Sequence, residues 1–224
     1  MGSIVSLAER TNRPAFVGSP EEENGGVREL ALPDRYQKIP NLPGEPLNQV
    51  AYLYKSSGAE CCISIRPIPD SSAMPFGNPL EVIHGLRDVM EDVQGLIEVK
   101  SGRTHSGCRY IYVIMKELIG LRGVDYLLNF HLDSPGGVML VYGSFIEMGK
   151  FGRREKAVRL RIVREAKSGG NMKALDTWEA DPYDPGVREG ALMNGSEYEV
   201  FDHQFPEHPL SEMRKLIKEL IRLN

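Results

Sequence analysis

Between residues 50 and 146, the apolar positions fall into three pairs of short runs, each pair joined by turn-forming residues. Runs 50–55 and 61–68 flank Ser56-Ser57-Gly58-Ala59, and runs 96–104 and 108–118 flank Ser106-Gly107. Runs 124–132 and 138–146 flank Asp133-Ser134-Pro135-Gly136-Gly137. Apolar runs of this length, bounded by Gly, Ser, Asp and Pro, predict three β-hairpins. Tyr126, Leu128, Phe130 and Leu132 alternate with Asp125, Asn129 and His131, the period of a strand with one buried face. Residues 110–115 and 138–141 are apolar throughout, which predicts strands covered on both faces. An extended segment with a bend at Pro33-Asp34 is expected from 27 to 39, before a Pro/Asn/Gly-rich loop at 40–46.

Helical periods separate the hairpins. Asn78 suits an N-cap and Pro79 a first helical residue. Val82, Ile83, Leu86, Val89, Met90 and Val93 then build one stripe, and Gly95 is read as the stop. A second helix is predicted over 152–167, where Val158, Ile162, Val163 and Ala166 share a face, although 158–162 also alternates as a strand would. A third begins at Pro209, with Leu210, Met213, Ile217, Leu220 and Ile221 as its stripe and His208 as a candidate cap. Arg214, Lys215, Lys218 and Arg222 are placed mostly outside that stripe.

The predicted fold class is α+β: an antiparallel sheet of hairpins with helices packed on it, plus a C-terminal loop-and-helix extension. Three regions follow. Residues 1–26, with Glu21-Glu22-Glu23 and few apolar positions, are expected to be a flexible arm. Residues 27–167 form the domain. Residues 168–224 form an extension packed on it through Trp178, Tyr183, Tyr198, Phe201 and Phe205, with a short strand near 197–201.

The 224 residues carry 41% hydrophobic and 26% charged positions, an ordinary globular balance. A net charge of -4 argues against a general nucleic-acid binder, which needs a basic surface. Three cysteines, an odd count, do not make a disulfide framework. No stretch approaches the ~18 to 20 apolar residues that span a bilayer, so no membrane span is expected. Glu9 interrupts the first apolar positions, which argues against a signal peptide, and the cytoplasm is the expected location. Met1-Gly2-Ser3-Ile4-Val5-Ser6 fits a myristoylation pattern and Asn194-Gly195-Ser196 a glycosylation sequon, each usable only in particular hosts.

The order of elements resembles the PsbP-like superfamily. Leu30-Ala31-Leu32-Pro33-Asp34-Arg35-Tyr36, Val50-Ala51-Tyr52 leading into residues 61–67, the helix after Asn78-Pro79 and the paired strands up to Ile146 carry the resemblance, over residues 27–167. That group includes photosystem lumenal proteins, a Ran-binding eukaryotic protein and bacterial relatives that chaperone secreted effectors. The resemblance implies a fold, and implies members that bind other proteins without doing chemistry.

Candidate chemistry is sparse. His105, Cys108 and His131 are the nearest approach to a zinc or Cys-His site, but zinc wants three or four convergent ligands and a nucleophile needs a base and an oxyanion hole. Asp176, Glu179, Asp181, Asp184 and Glu189 lack a calcium-loop spacing and read as a solvated acidic loop around Trp178. No catalytic residue, metal or cofactor is expected. The strongest feature is charge asymmetry: Lys150, Arg153, Arg154, Lys156, Arg159, Arg161, Arg164 and Lys167 crowd one segment against Glu155 and Glu165. Part of that charge is open to neutralisation by the acidic loop at 176–189. The reading is therefore a non-enzymatic protein-binding module, such as a cytoplasmic adaptor, chaperone or immunity-type protein. Arg154, Arg161 and Arg164 would meet an unidentified acidic protein partner. The alternative is a small-molecule-binding or hydrolytic enzyme with a pocket near His105, Cys108 and His131.

Overall fold

The computed structural model describes residues 30–41, 43–120, 123–169 and 178–224; the expected arm at 1–26 lies outside the described residues. Its strands are β1 (Gln37–Ile39), β2 (Val50–Lys55), β3 (Ala59–Ile68), β4 (Gln94–Arg103), β5 (Arg109–Ile119), β6 (Gly123–Ser134) and β7 (Gly137–Glu147). Among the described residues these form one antiparallel sheet in the order β1-β2-β3-β7-β6-β5-β4. Helix α1 (Pro79–Arg87) follows β3, α2 (Arg153–Gly169) follows β7, and α3 (Pro209–Leu223) closes the chain. A two-residue ladder, β8 (Glu179–Ala180) with β9 (Met193–Asn194), lies between α2 and α3. The fold is α+β, with helices packed on an antiparallel sheet.

The hairpins lie where the alternating runs place them, and the sheet is completed by a non-local pairing. β3 runs beside β7, from Ala59 opposite Glu147 to Ile68 opposite Val138. This joins the first hairpin to the four-stranded meander of β4 to β7. Both sheet faces are covered. On one, Leu210, Met213, Leu216, Ile217 and Leu220 of α3 pack with Ile63, Leu128, Phe130 and Phe145. On the other, Val82 and Ile83 of α1 pack over Leu96, Val99, Ile111, Val113 and Met115. Because β5 serves both clusters, with Tyr112 and Ile114 on the α3 side, residues 110–115 are apolar throughout.

Helix ends follow local chemistry. Asn78 Oδ1 accepts from the Glu81 N–H at 3.4 Å with Pro79 as first helical residue. His208 Nδ1 accepts from the Leu210 N–H at 3.2 Å and so caps α3.

Three expectations are corrected. Helix α1 stops at Arg87, well before Gly95, because the Val93 carbonyl accepts from the Leu118 N–H at 2.8 Å and the chain is drawn into the sheet. Gly95 lies inside β4, where a Cβ would come within 1.6 Å of the Ala191 carbonyl oxygen; it is a crossing point, not a helix stop. Residues 199–201 form a 3-10 turn (Glu199–Phe201), not a strand. Arg214 faces inward at 3% exposure, along with Ser211 and Glu212, so α3 is buried on nearly every side.

Burying a side chain such as Leu216 contributes ~1.5 to 3 kcal/mol, and α3 supplies five of them. A chain ending after Lys167 should therefore lose its cooperative melting transition or aggregate. Leu216→Ala should lower the stability measured by denaturant unfolding by about 2 to 5 kcal/mol. A truncated chain that melts like the whole protein would contradict this packing.

Candidate functional site

Helix α2 carries the basic segment, and its two sides do different work. Gly152, at φ +70°, sets the chain into the helix and donates its N–H to a Glu147 carboxylate oxygen at 2.6 Å. At the second position of the helix, Arg154 points inward and is 1% exposed. Its Nε donates to the Ser196 carbonyl at 2.7 Å, Nη1 to Ser211 Oγ at 2.8 Å, and Nη2 to the Tyr198 carbonyl at 3.0 Å. Asp202 Oδ1 lies 2.9 Å from the same Nη1. Burial pulls this guanidinium below its ordinary pKa, opposed by Asp202. The expectation that Arg154 meets a partner is thus corrected. A charge at this depth needs internal partners, and each of its three nitrogens is already engaged.

Asp202 also links α2 to α3, because its Oδ1 accepts from Arg214 Nη1 at 3.2 Å and from Ser211 Oγ at 3.1 Å. Arg214 Nη2 continues to the Glu197 carbonyl at 2.8 Å, and its Nε approaches Glu98 Oε2 at 3.4 Å. Glu98 Oε1 in turn accepts from the Tyr112 hydroxyl at 2.5 Å. Glu197, wholly buried, pairs with Lys116 Nζ at 2.8 Å and accepts from the Tyr126 hydroxyl at 3.2 Å. Sequence reasoning passed over Glu98, Lys116 and Glu197. A signal was present for one of them: Lys116 falls in phase with Tyr110, Tyr112 and Ile114, the β5 positions on the α3 side, whereas Glu98 reaches that side, opposite Ile114, only through the register shift between Leu96 and Glu98.

The outward side of α2 is different. Arg153, Lys156, Arg164 and Lys167 are exposed around Leu160, which is 47% exposed. Arg161 is exposed too, and its Nε pairs with Glu165 Oε1 at 2.8 Å within the same helix. Arg159 lies 5.9 Å above the Trp178 ring. The acidic loop does not neutralise this face through its described aspartates. Asp181 pairs with Arg87 at 2.5 Å and accepts from the Tyr183 and Asp184 N–H groups at 2.8 Å each, while Asp184 approaches Arg87 at 3.7 Å. Asp176 lies outside the described residues.

The alternative site does not assemble. Cys108 packs against the α3-side cluster. His131, paired in register with Ile111, lies on the α1 side, so the sheet separates the two. His131 is 6% exposed and its Nδ1 accepts from the Met74 N–H at 3.1 Å. Burial lowers its pKa to about 4. His105 is exposed in the β4–β5 turn, where its N–H donates to the Ile221 carbonyl. Among the described residues, no group of three or more His, Cys, Asp or Glu is placed to hold a metal ion, and no helix is long and apolar enough to cross a membrane.

No protein-family model and no curated protein matches the sequence. Among solved structures, the chain is similar to cyanobacterial PsbP (CyanoP) from Synechocystis sp. PCC 6803. The match has 14% identity and a TM-score of 0.33, over 63% of this chain and 94% of that one.

Two consequences are measurable. Arg154→Ala should cost about 3 to 5 kcal/mol, because it strips Asp202 of a buried partner, whereas Arg161→Ala should stay within about 0.5 kcal/mol. Equal losses in denaturant unfolding would contradict the two-sided helix. His131 is held neutral in the fold, so the unfolded chain binds more protons between its pKa of about 4 and the ordinary 6.5. Stability should accordingly fall as pH drops through that window, by up to about 3 kcal/mol from this group alone. His131→Asn, which keeps an acceptor for Met74, should show a shallower acid loss. Parallel stability–pH curves for the two proteins would refute that assignment.

Proposed function

We propose that this protein is a non-enzymatic protein-binding module whose contact surface is the outward face of α2. The observation that carries the reading is the ring of exposed cations, Arg153, Lys156, Arg164 and Lys167, around a half-exposed Leu160 on a protein that is acidic as a whole. Such a face suits an acidic surface on another protein. Complementary charge chiefly speeds encounter, and exposed contacts are screened over a Debye length of ~8 Å at physiological salt. The inner side of the helix supports the same reading, because Arg154 fixes its orientation without spending any outward charge. A cytoplasmic adaptor, chaperone or immunity-type role fits such a module.

The test compares the wild-type chain with Lys156→Glu/Arg161→Glu/Arg164→Glu, Arg154 being left intact because it holds the fold. Both serve as bait in extract of the native source at low salt. A protein retained by the wild type, released by added salt and lost with the charge-reversed bait supports the reading. Its association with the purified variant should be at least tenfold slower. A retained set that is identical for both baits and indifferent to salt would overturn it.

A further inference from the structure

Helix α2 carries a hollow of about 340 Å³, lined among the described residues by Gly152, Glu155, Lys156, Arg159, Leu160 and Val163. These positions recur every three to four residues, so they form one stripe along the helix. Leu160, which is 47% exposed, and half-buried Val163 give the stripe its apolar part. Lys156 and Arg159 supply two cations against the single carboxylate of Glu155, and all three are exposed. A volume at the lower end of the ~300 to 1,000 Å³ of ligand pockets has room for one large side chain, not for a helix.

Arg159 decides which side chain suits it. Its guanidinium lies 5.9 Å from the centre of the Trp178 ring, and Trp178 is buried. Unlike Arg161, it pairs with no carboxylate among the described residues. A planar, weakly hydrated guanidinium attracts the face of an aromatic ring. Lys156 lies one turn before Leu160, and Lys167 one turn beyond Val163, both in solvent. We propose that the hollow takes one aromatic side chain from an acidic segment of the partner protein. Its ring packs on Leu160 and Val163 beside Arg159, and the carboxylates that flank it meet Lys156 and Lys167. This rests on the reading of α2 as a contact surface and names what enters it. Aromatic anchors of this kind, seated in a pocket, carry most of the energy of an interface, and the surrounding charges add specificity.

Trp178 is the only tryptophan in the chain, so its emission reports on events at Arg159 in the whole protein. The probes are two synthetic peptides blocked at both ends, Glu-Asp-Phe-Asp-Glu and Glu-Asp-Ala-Asp-Glu, titrated at low salt, with calorimetry as a second measure of each midpoint. The Phe peptide should bind with a midpoint at least tenfold below that of the Ala peptide, and both should weaken as salt rises. Leu160→Ser, at an exposed position, should bring the two midpoints together and leave the salt dependence in place. Equal midpoints on the wild type, a preference that survives Leu160→Ser, or no binding of either peptide overturns the inference. The reading of α2 as a partner surface fails separately, by the bait comparison: a folded acidic protein can still be retained through the cations when neither peptide enters the hollow.

Discussion

A guanidinium placed in a dry interior must find polar partners there, and Arg154 imposes that requirement on this fold. Its partners come from Ser196, Tyr198, Asp202 and Ser211, so the 196–202 segment and the start of α3 must be docked for α2 to sit where it does. Asp202 passes the requirement to Arg214, and Arg214 passes it to Glu98 in the sheet. Lys116 and Glu197 make a second buried link between β5 and the same segment. Such pairs add little net stability over a well-packed apolar alternative, but removing one partner leaves a buried charge exposed to a large penalty. Their effect here is to make the last third of the chain inseparable from the sheet.

The sheet also acts as a partition. Its α3 face combines a large apolar cluster with the ionic links at one end, and its α1 face holds a smaller cluster in which His131 is kept neutral. Residues with chemical potential are thereby divided or consumed. His208 caps α3 and is pushed down to about 3 by burial, with Arg154 and Arg214 nearby adding to the effect. Cys61 and Cys62 are driven up by burial, away from the thiolate form that nucleophilic chemistry needs. Glu212 is raised by burial beneath Arg35. In each case the fold uses the group for packing or hydrogen bonding.

What is left to meet other molecules is what the interior does not need. α2 shows this within a single helix, with Arg154 satisfied inside and Arg153, Lys156 and Arg164 facing solvent. The same division holds for the acidic residues, where Asp181 and Asp202 are structural while Asp92 and Glu189 are exposed. Inner pairing ties the helix to the segment at 196–202 and to α3, and leaves the outer charges in solvent.

The hairpins, the Asn78 and His208 caps, the amphipathic stripe of α3 and the two-sided burial of β5 were all legible in the chain, because each depends on residues a few positions apart. The basic segment was legible as charge, but not the inward direction of Arg154, since that depends on Asp202 and Ser211 arriving from far along the chain. The early end of α1 has the same origin: the stripe continues past Arg87, yet the Leu118 N–H takes the Val93 carbonyl and the backbone leaves the helix. The pairing of β3 with β7 and the separation of Cys108 from His131 across the sheet also required the tertiary structure. Side-chain period sets which face a residue occupies, but long-range pairing decides what stands opposite that face and which charges it must satisfy.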